Sequence, residues 1–411
     1  MLPLDRSTHQ RVASALDAAV QERAARAFEQ FEAMPHPTEK DEDWRYVELD
    51  FDLADYAIAD APGTALGSHE IERLLGPLAG KAVNIDGHTI SVDGGDGVEV
   101  KAGLGAVSPT GTVLSDRFAA LHDAFARDGV IVSTKAGAQP EAPVLIDLQT
   151  VTDGGLALPR ISVVAGEQSS VSVVVLQRSP DGIASLVVPA FEVSAGAAAR
   201  VEVTVIQEWG DDTVSIAAHR MASGRDASLY LAEAGYGGRY SRLRLAVDLV
   251  GAGAGAKIVG VYFGDGEQTL DYRYYMRHAA RSTTSEMFLK GAVADHAKSV
   301  FSGLIRIEKE GQKTNAHQTN RNLVLSDGAE AHSVPNLEIL ADDVRCGHGS
   351  AVGPLDEEQR YYLQSRGLDR PRADRLQVKG FFEEAIQRFP YRALDSHLRD
   401  IALDKYAAVA L

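Results

Sequence analysis

Cys346 and His348 stand two residues apart in Asp342-Asp-Val-Arg345-Cys346-Gly-His348-Gly349-Ser-Ala-Val-Gly353. In an extended segment residues i and i+2 share a face, so this spacing predicts a thiol and an imidazole side by side. A thiolate and a neutral imidazole make half of a soft-metal site. Spacing alone favours the plainer alternative, a buried cysteine beside a hydrogen-bonded histidine. His317 and His332 lie in the same stretch, either approaching that pair or acting as hydrogen-bonded core residues. Further on, Tyr361, Tyr362 and Arg366 fall at helical spacing. Aromatic and Arg side chains are favoured interface anchors, so the trio is a candidate partner-docking face, with packing as the alternative. Phe381 and Phe382 read as core.

Other chemistry is missing. Gly76-Pro-Leu-Ala-Gly80-Lys81-Ala82 is one residue short of a phosphate loop and lacks the Ser or Thr that would hold Mg²⁺. Gly251-Ala-Gly253-Ala-Gly255-Ala has the wrong spacing for a dinucleotide fingerprint and no helix after it. Neither a His-Glu-x-x-His pair nor a Gly-x-Ser-x-Gly elbow occurs. No catalytic residue is assigned, and the expectation is a non-catalytic protein.

The elements that must hold these residues follow from periodicity. Val12, Leu16, Val20, Ala24, Phe28 and Phe31 recur at three- or four-residue steps, predicting one amphipathic helix from Thr8 to Met34. It ends at Met34-Pro35-His36-Pro37 because proline cannot continue a helix. Trp44 is expected to pack on the domain from a charged surface loop. Residues 50–110 read as a small α/β region, and Phe118 to Phe125 as a short helix.

From about 130 to 345 the period becomes two, as in Val201, Val203, Val205 and in Leu243, Leu245, Val247, Leu249. A turn, a small residue and an alternating strand recur near Ser170, Ala199, Ala227 and Ala256. That suggests stacked β coils, although a sandwich has similar strands. The end is helical again. Asp356 with Gln359 makes a capping-box variant for a helix running to Arg366, with Gly367 as its left-handed stop. Further helices are expected from Arg372 to Phe389 and from Ala393 onward. The predicted division is 1–115 (helical and α/β), 116–354 (β core) and 355–411 (helical).

Composition bounds the rest. The 411 residues carry 41 Lys+Arg against 58 Asp+Glu, a net charge of −17, which argues against gripping nucleic-acid phosphates. No apolar run approaches the roughly 18–20 residues of a membrane span, and the first residues lack the apolar centre of a signal peptide. A single cysteine fits a reducing compartment, so the expected location is cytoplasmic.

Several segments in order carry a resemblance: Asn320-Arg321-Asn322-Leu, Pro335-Asn-Leu-Glu338-Ile, Cys346-Gly-His348-Gly349-Ser-Ala-Val-Gly353, and Asp356-Glu-Glu-Gln359 followed by Tyr362-Leu-Gln-Ser-Arg366-Gly367. Asp43-Trp44-Arg45-Tyr46 and Phe118-Ala-Ala-Leu-His-Asp-Ala-Phe-Ala-Arg-Asp-Gly129 extend it toward the N-terminus. Together they resemble the SufB/SufD family of iron–sulfur cluster assembly scaffolds. The lone cysteine points to its SufD branch, because SufB members carry further cysteines in the β core. The commonest family motif reads Cys-Ser-His-Gly-Ala-Thr, and here Gly347 and Ser350-Ala351 depart from it.

The resemblance implies a right-handed parallel β-helix with helical ends. It implies work in a complex with a SufB-like paralogue and a SufC-like ATPase, which binds the ATP. It also implies cluster delivery to apo-protein acceptors. On this basis Cys346 and His348 are expected ligands of a transient cluster shared with SufB, with no cofactor held tightly by the chain alone. The C-terminal helices, with Tyr361, Tyr362 and Arg366, are expected to dock the ATPase. Reduced flavin accompanies complexes of the family, but no segment here locates a flavin pocket. A homodimer is expected for the isolated chain. The rival readings are a purely structural adaptor without a cluster ligand, and a stand-alone carbohydrate-active β-helix enzyme.

Overall fold

A computed structural model of the chain describes residues 1–105, 112 and 116–409, so the expected boundary at 115 lies beside residues outside the described set. The alternating segments wind into a β-solenoid of about eight turns. Successive strands alternate between two sheets, and within each sheet the coils pair in parallel. One sheet runs from Gly129–Thr134 to Glu330–Ile339, the other from Val144–Gln149 to Arg345–Gly353. The mainly β expectation and its coiled form hold.

Register makes the coils stack residue on residue. Ser170, Arg200, Ser228, Gly255, Thr284, Asn315 and Arg345 form one column. Two residues before each of the first six, the chain turns through a left-handed conformation, at Gln168, Ala198, Asp226, Gly253, Ser282 and Lys313, with φ between 56° and 76°. Each of these N–H groups donates to a carbonyl in the next turn, for example Ala198 to Arg225 at 2.8 Å and Ser282 to Gln312 at 2.8 Å. The corner is therefore hydrogen-bonded from coil to coil although its turn residues are exposed, which fixes the stacking register along this edge.

The repeat read at Ser170, Ala199, Ala227 and Ala256 is in step only at its middle two members. Their stacked counterparts are Ser169 and Ala254, because the coils differ in length and a constant step drifts.

Side chains alternate in and out along each strand. Val173, Val203, Leu231, Ile258 and Met287 form one inward column, all buried. Each contributes about 1.5–3 kcal/mol by leaving water. Strands between 80 and 102, read as part of an N-terminal region, continue these same sheets. Gly80–Ile85 pairs in parallel with Val144–Gln149. His88–Gly94 and Glu99–Ala102 then close the first coil in antiparallel pairs, laying Val98 and Val100 into the core.

Helices cover the outer faces. The predicted single helix is two, α1 (Arg6–Ala13) and α2 (Ala18–Ala33), because the chain turns at Ser14–Asp17 and Asp17 starts the second. α3 spans Glu70–Leu75 and α4 spans Arg117–Phe125. α2 and α4 pack Phe28, Phe31, Phe118 and Phe125 over Ile216 and Tyr240 of the first sheet.

The C-terminal helices are α5 (Glu357–Ser365), α6 (Arg370–Ile386) and α7 (Asp395–Ala408). α6 begins two residues earlier than expected because Asp369 caps it and Pro371 suits its first turn. α6 and α7 fold back over Val259, Phe263 and Phe288 of the second sheet. The helical segments therefore lie along the solenoid and leave its last coil uncovered. Among the described residues no helix is long and apolar enough to cross a membrane.

Candidate functional site at the last coil

The solenoid ends on two strands with free edges. Glu330–Ile339 pairs only with Lys298–Ile307, and Arg345–Gly353 only with Asn315–Val324. Apolar groups lie open there, with Ile339, Leu340 and Val352 each exposed by about two-fifths.

The inward column of Val173 to Met287 continues through Gln318 to His348, and its neighbour runs from Val171 and Val201 through Ala316 to Cys346. Cys346 and His348 thus occupy inward positions on the same side of the terminal strand. Cys346 is half-buried against the core, and His348 is exposed at the mouth. Burial pushes the Cys346 thiol up, opposed by a hydrogen bond with the Gly347 backbone, so the sulfur rests as a thiol.

Gly347 between them faces outward, where an added Cβ would lie 2.8 Å from Cε1 of His317. The His317 ring therefore occupies the space that a side chain at this position would need. His317 is thus on the opposite face from Cys346 and His348. His332 also faces outward and stacks on Tyr46 with ring centres 4.8 Å apart. Neither joins the pair. Among the described residues, no third His, Cys, Asp or Glu forms a metal-sized cluster with them.

Behind the mouth the interior turns polar, which periodicity did not reveal. Asn322 donates to Asn320 Oδ1 at 2.6 Å, Ser333 to the same oxygen at 2.7 Å, and Ser350 to Ser333 at 2.8 Å. Tyr262 donates to Asn322 Oδ1 at 2.5 Å. Gln318 donates to the Asn336 carbonyl at 3.0 Å, while its own Oε1, buried, has no partner in the protein. Deeper in the column of Asn320 and Ser350 lies Glu233, whose carboxylate accepts from Tyr274 Oη at 2.9 Å. Burial pushes its carboxyl up to about 7. The available sequence signal was Asn320 and Asn322 flanking exposed Arg321: polar residues in the inward phase.

Three residues after the terminal strand, Asp356 caps α5 by accepting from Glu358 and Gln359. No α5 residue is buried, and Gly367 follows with φ 94°. Tyr361 is 76% exposed and Tyr362 56%, so both point to solvent rather than pack. The Arg366 guanidinium lies 5.2 Å from the Tyr362 ring centre. Arg360, bound to Asp374, ties α5 to α6. Phe382 is buried, and Phe381 packs partly buried against the same cluster, as expected for core residues.

Residues 148–381 match the SUF system FeS cluster assembly, SufBD core domain. An iron-sulfur cluster assembly SufBD family protein of Mycobacterium bovis is 33% identical over 334 residues, covering 77% of this chain and 82% of that protein. The iron-sulfur cluster assembly proteins SufD of Escherichia coli and Bacillus subtilis are 33% and 34% identical over 151 residues, 37% of this chain and 36% and 35% of theirs. A β-solenoid ending on an open coil, a motif-bearing terminal strand and these matches agree: the chain belongs to the SufBD family of iron–sulfur cluster assembly proteins.

Proposed function

We propose that this chain is the SufD-side scaffold subunit of a SufB–SufC–SufD assembly, catalysing no step itself. The observation that carries the reading is the placement of Cys346 and His348 on the inward side of an unpaired terminal strand. A conventional cluster takes about four ligands. The two donors here require the rest from a partner chain, and the free edges of the last coil are where a SufB-like paralogue pairs. The nascent cluster is cargo. Neutral His348 offers a ring nitrogen to iron. Cys346 becomes a ligand by losing the proton that burial favours, which entry of a metal ion drives.

The SufC-like ATPase docks on α5, whose two tyrosine rings stay largely exposed, with Arg366 against Tyr362. Only Pro354, Leu355 and Asp356 separate the terminal strand from α5. Movement of α5 on ATP binding by that partner pulls directly on the strand bearing Cys346 and His348. The completed cluster passes to apo-proteins. Purified alone, the chain pairs with a second copy through the same edges.

The experiment is co-expression with the paralogue and the ATPase, reading complex mass and iron- and sulfide-dependent absorbance. Cys346→Ser/His348→Ala is expected to leave the mass unchanged and lower cluster loading about tenfold or more, the scale of losing groups around a metal site. Unchanged loading would favour the adaptor reading, which the protonated thiol and the shortage of donors also support. Tyr361→Ala/Tyr362→Ala is expected to weaken ATPase docking by about 30-fold, or ~2 kcal/mol. Its unfolding midpoint should stay unchanged because both rings are exposed. Pull-down titration with the ATPase checks this.

A further inference from the structure

Far from the last coil, three chain segments bring together His69, which caps α3, Glu208, which ends the Arg200–Glu208 strand, and His397 in the first turn of α7. Their side chains are 22%, 19% and 11% exposed. Glu208 Oε2 lies 3.1 Å from His69 Nε2, and Glu208 Oε1 lies 2.7 Å from His397 Nε2. One donor atom from each residue falls within 4.8 Å of the other two, the one such group of three or more among the described residues. Among the described residues no Lys or Arg pairs with Glu208, and its charge is met by the two imidazoles.

We propose that His69, Glu208 and His397 form a binding site for a divalent transition-metal ion of the zinc type, clamping α7 to the solenoid and to the N-terminal region.

Two imidazoles and one carboxylate match the borderline preference of Zn²⁺ and exclude the all-oxygen shells of Mg²⁺ and Ca²⁺. Bonds of about 2.0–2.2 Å to one ion need donors roughly 3–4 Å apart. The Glu–His spacings are already at or just under that, so a small retreat of Glu208 admits the ion in place of the ring protons it now accepts. An outer carboxylate is within reach as well. Glu70, which accepts from Arg73 at 2.5 Å, has its Oε2 3.8 Å from His397 Nδ1 on the side away from Glu208, so a rotation of its side chain would make the hydrogen bond that orients a ligating imidazole. Both imidazoles bond the ion through Nε2 with their one proton on Nδ1. His69 gives up the long 3.3 Å hydrogen bond that Nδ1 accepts from the Ile71 N–H, and His397 turns its Nδ1–H toward Glu70. Any second ring proton leaves to solvent as the ion enters. Three protein donors with partial exposure leave a fourth position for water. The ion is a resident structural one, independent of the cluster carried at the last coil.

The test uses the full chain, stripped with a chelator and titrated with Zn²⁺ alone, then with Co²⁺ alone for its visible ligand-field bands. Wild type is expected to bind one equivalent tightly and to gain thermal stability as free Zn²⁺ rises. Cys346→Ser/His348→Ala should bind that equivalent unchanged. Glu70→Gln should weaken binding about tenfold, and His69→Gln/His397→Gln about 100-fold or more with the Co²⁺ bands lost. The proposal is overturned if wild type binds no equivalent at micromolar Zn²⁺. It is overturned equally if the Cys346→Ser/His348→Ala protein loses the equivalent, or if a folded His69→Gln/His397→Gln protein keeps wild-type affinity. Should that last variant misfold, the Glu70→Gln shift and the wild-type stoichiometry decide.

Discussion

Asp271→Ala is expected to destabilise the protein by about 3–5 kcal/mol, measured as the change in unfolding free energy in guanidinium chloride. Asp271 and Arg242 form an ion pair with both side chains fully buried. Asp271 also accepts from Arg273 Nε at 2.5 Å and from Tyr240 Oη at 3.2 Å. Arg242 lies 3.8 Å from the Trp44 ring centre and donates to the Asp43 carbonyl at 2.6 Å. Removing the carboxylate leaves a guanidinium buried without its counter-charge, and a second one, on Arg273, beside it. The pair also seats the Asp43-Trp44 segment on the first sheet, so Trp fluorescence should report its release before global unfolding. Replacing both residues by apolar ones of similar volume should cost far less, because no charge is then stranded.

Glu233→Gln is expected to stabilise the protein by about 3 kcal/mol at pH 8 and to change little near pH 4. The Glu233 carboxyl, pushed by burial up to about 7 from an ordinary 4.5, is inside the solenoid with Tyr274 Oη as its partner. Between those two pH values the folded chain holds a proton that the unfolded chain has lost. Stability from this group is therefore full below about 4.5, falls as pH rises toward 7, and is level above it. The amide keeps a hydrogen-bonding group without the titration. Since other carboxylates titrate too, the discriminating measurement is the difference between the wild-type and Glu233→Gln stability curves across pH 4–8. A flat difference would show that Glu233 does not carry the slope.

Much of the architecture is written locally. The alternation at Val201–Val205 and Leu243–Leu249, the cap at Asp356 and the stop at Gly367 are short-range signals. They survive because backbone geometry and burial act within a few residues. The break inside the first helical stretch was not legible, since Leu16 and Val20 keep the apolar period across Ser14–Asp17. The way α6 and α7 lie back along the second sheet was equally hidden: Phe263 and Phe382 meet across more than a hundred residues, and nothing near either marks the other.

The candidate site divides along the same line. Cys346 and His348 share a short motif and were visible as a pair. The polar interior behind them depends on which phase of each strand points inward, and Glu233 reaches that column only through the stacking of coils. His69, Glu208 and His397 have no sequence proximity at all. Only the folded chain makes them neighbours.

The two ends of the solenoid are unlike, and that sets the symmetry open to any assembly built through the ends. The last coil ends on strands that pair in parallel with the coil before them, while the first ends on the antiparallel strands His88–Gly94 and Glu99–Ala102, each with its own outer edge unpaired. A free strand edge accepts a partner in either direction, as Gly80–Ile85 does with one antiparallel and one parallel neighbour, so the geometry of contact, not the ladder type, decides how copies count. Head-to-tail stacking is the heterologous arrangement, which leaves a free end after every addition and grows into filaments. Tail-to-tail contact is isologous, uses the open edge on both sides, and is complete at two chains. An assembly made through the last coil alone is in this way self-limiting: it closes at a pair, of identical or paralogous subunits.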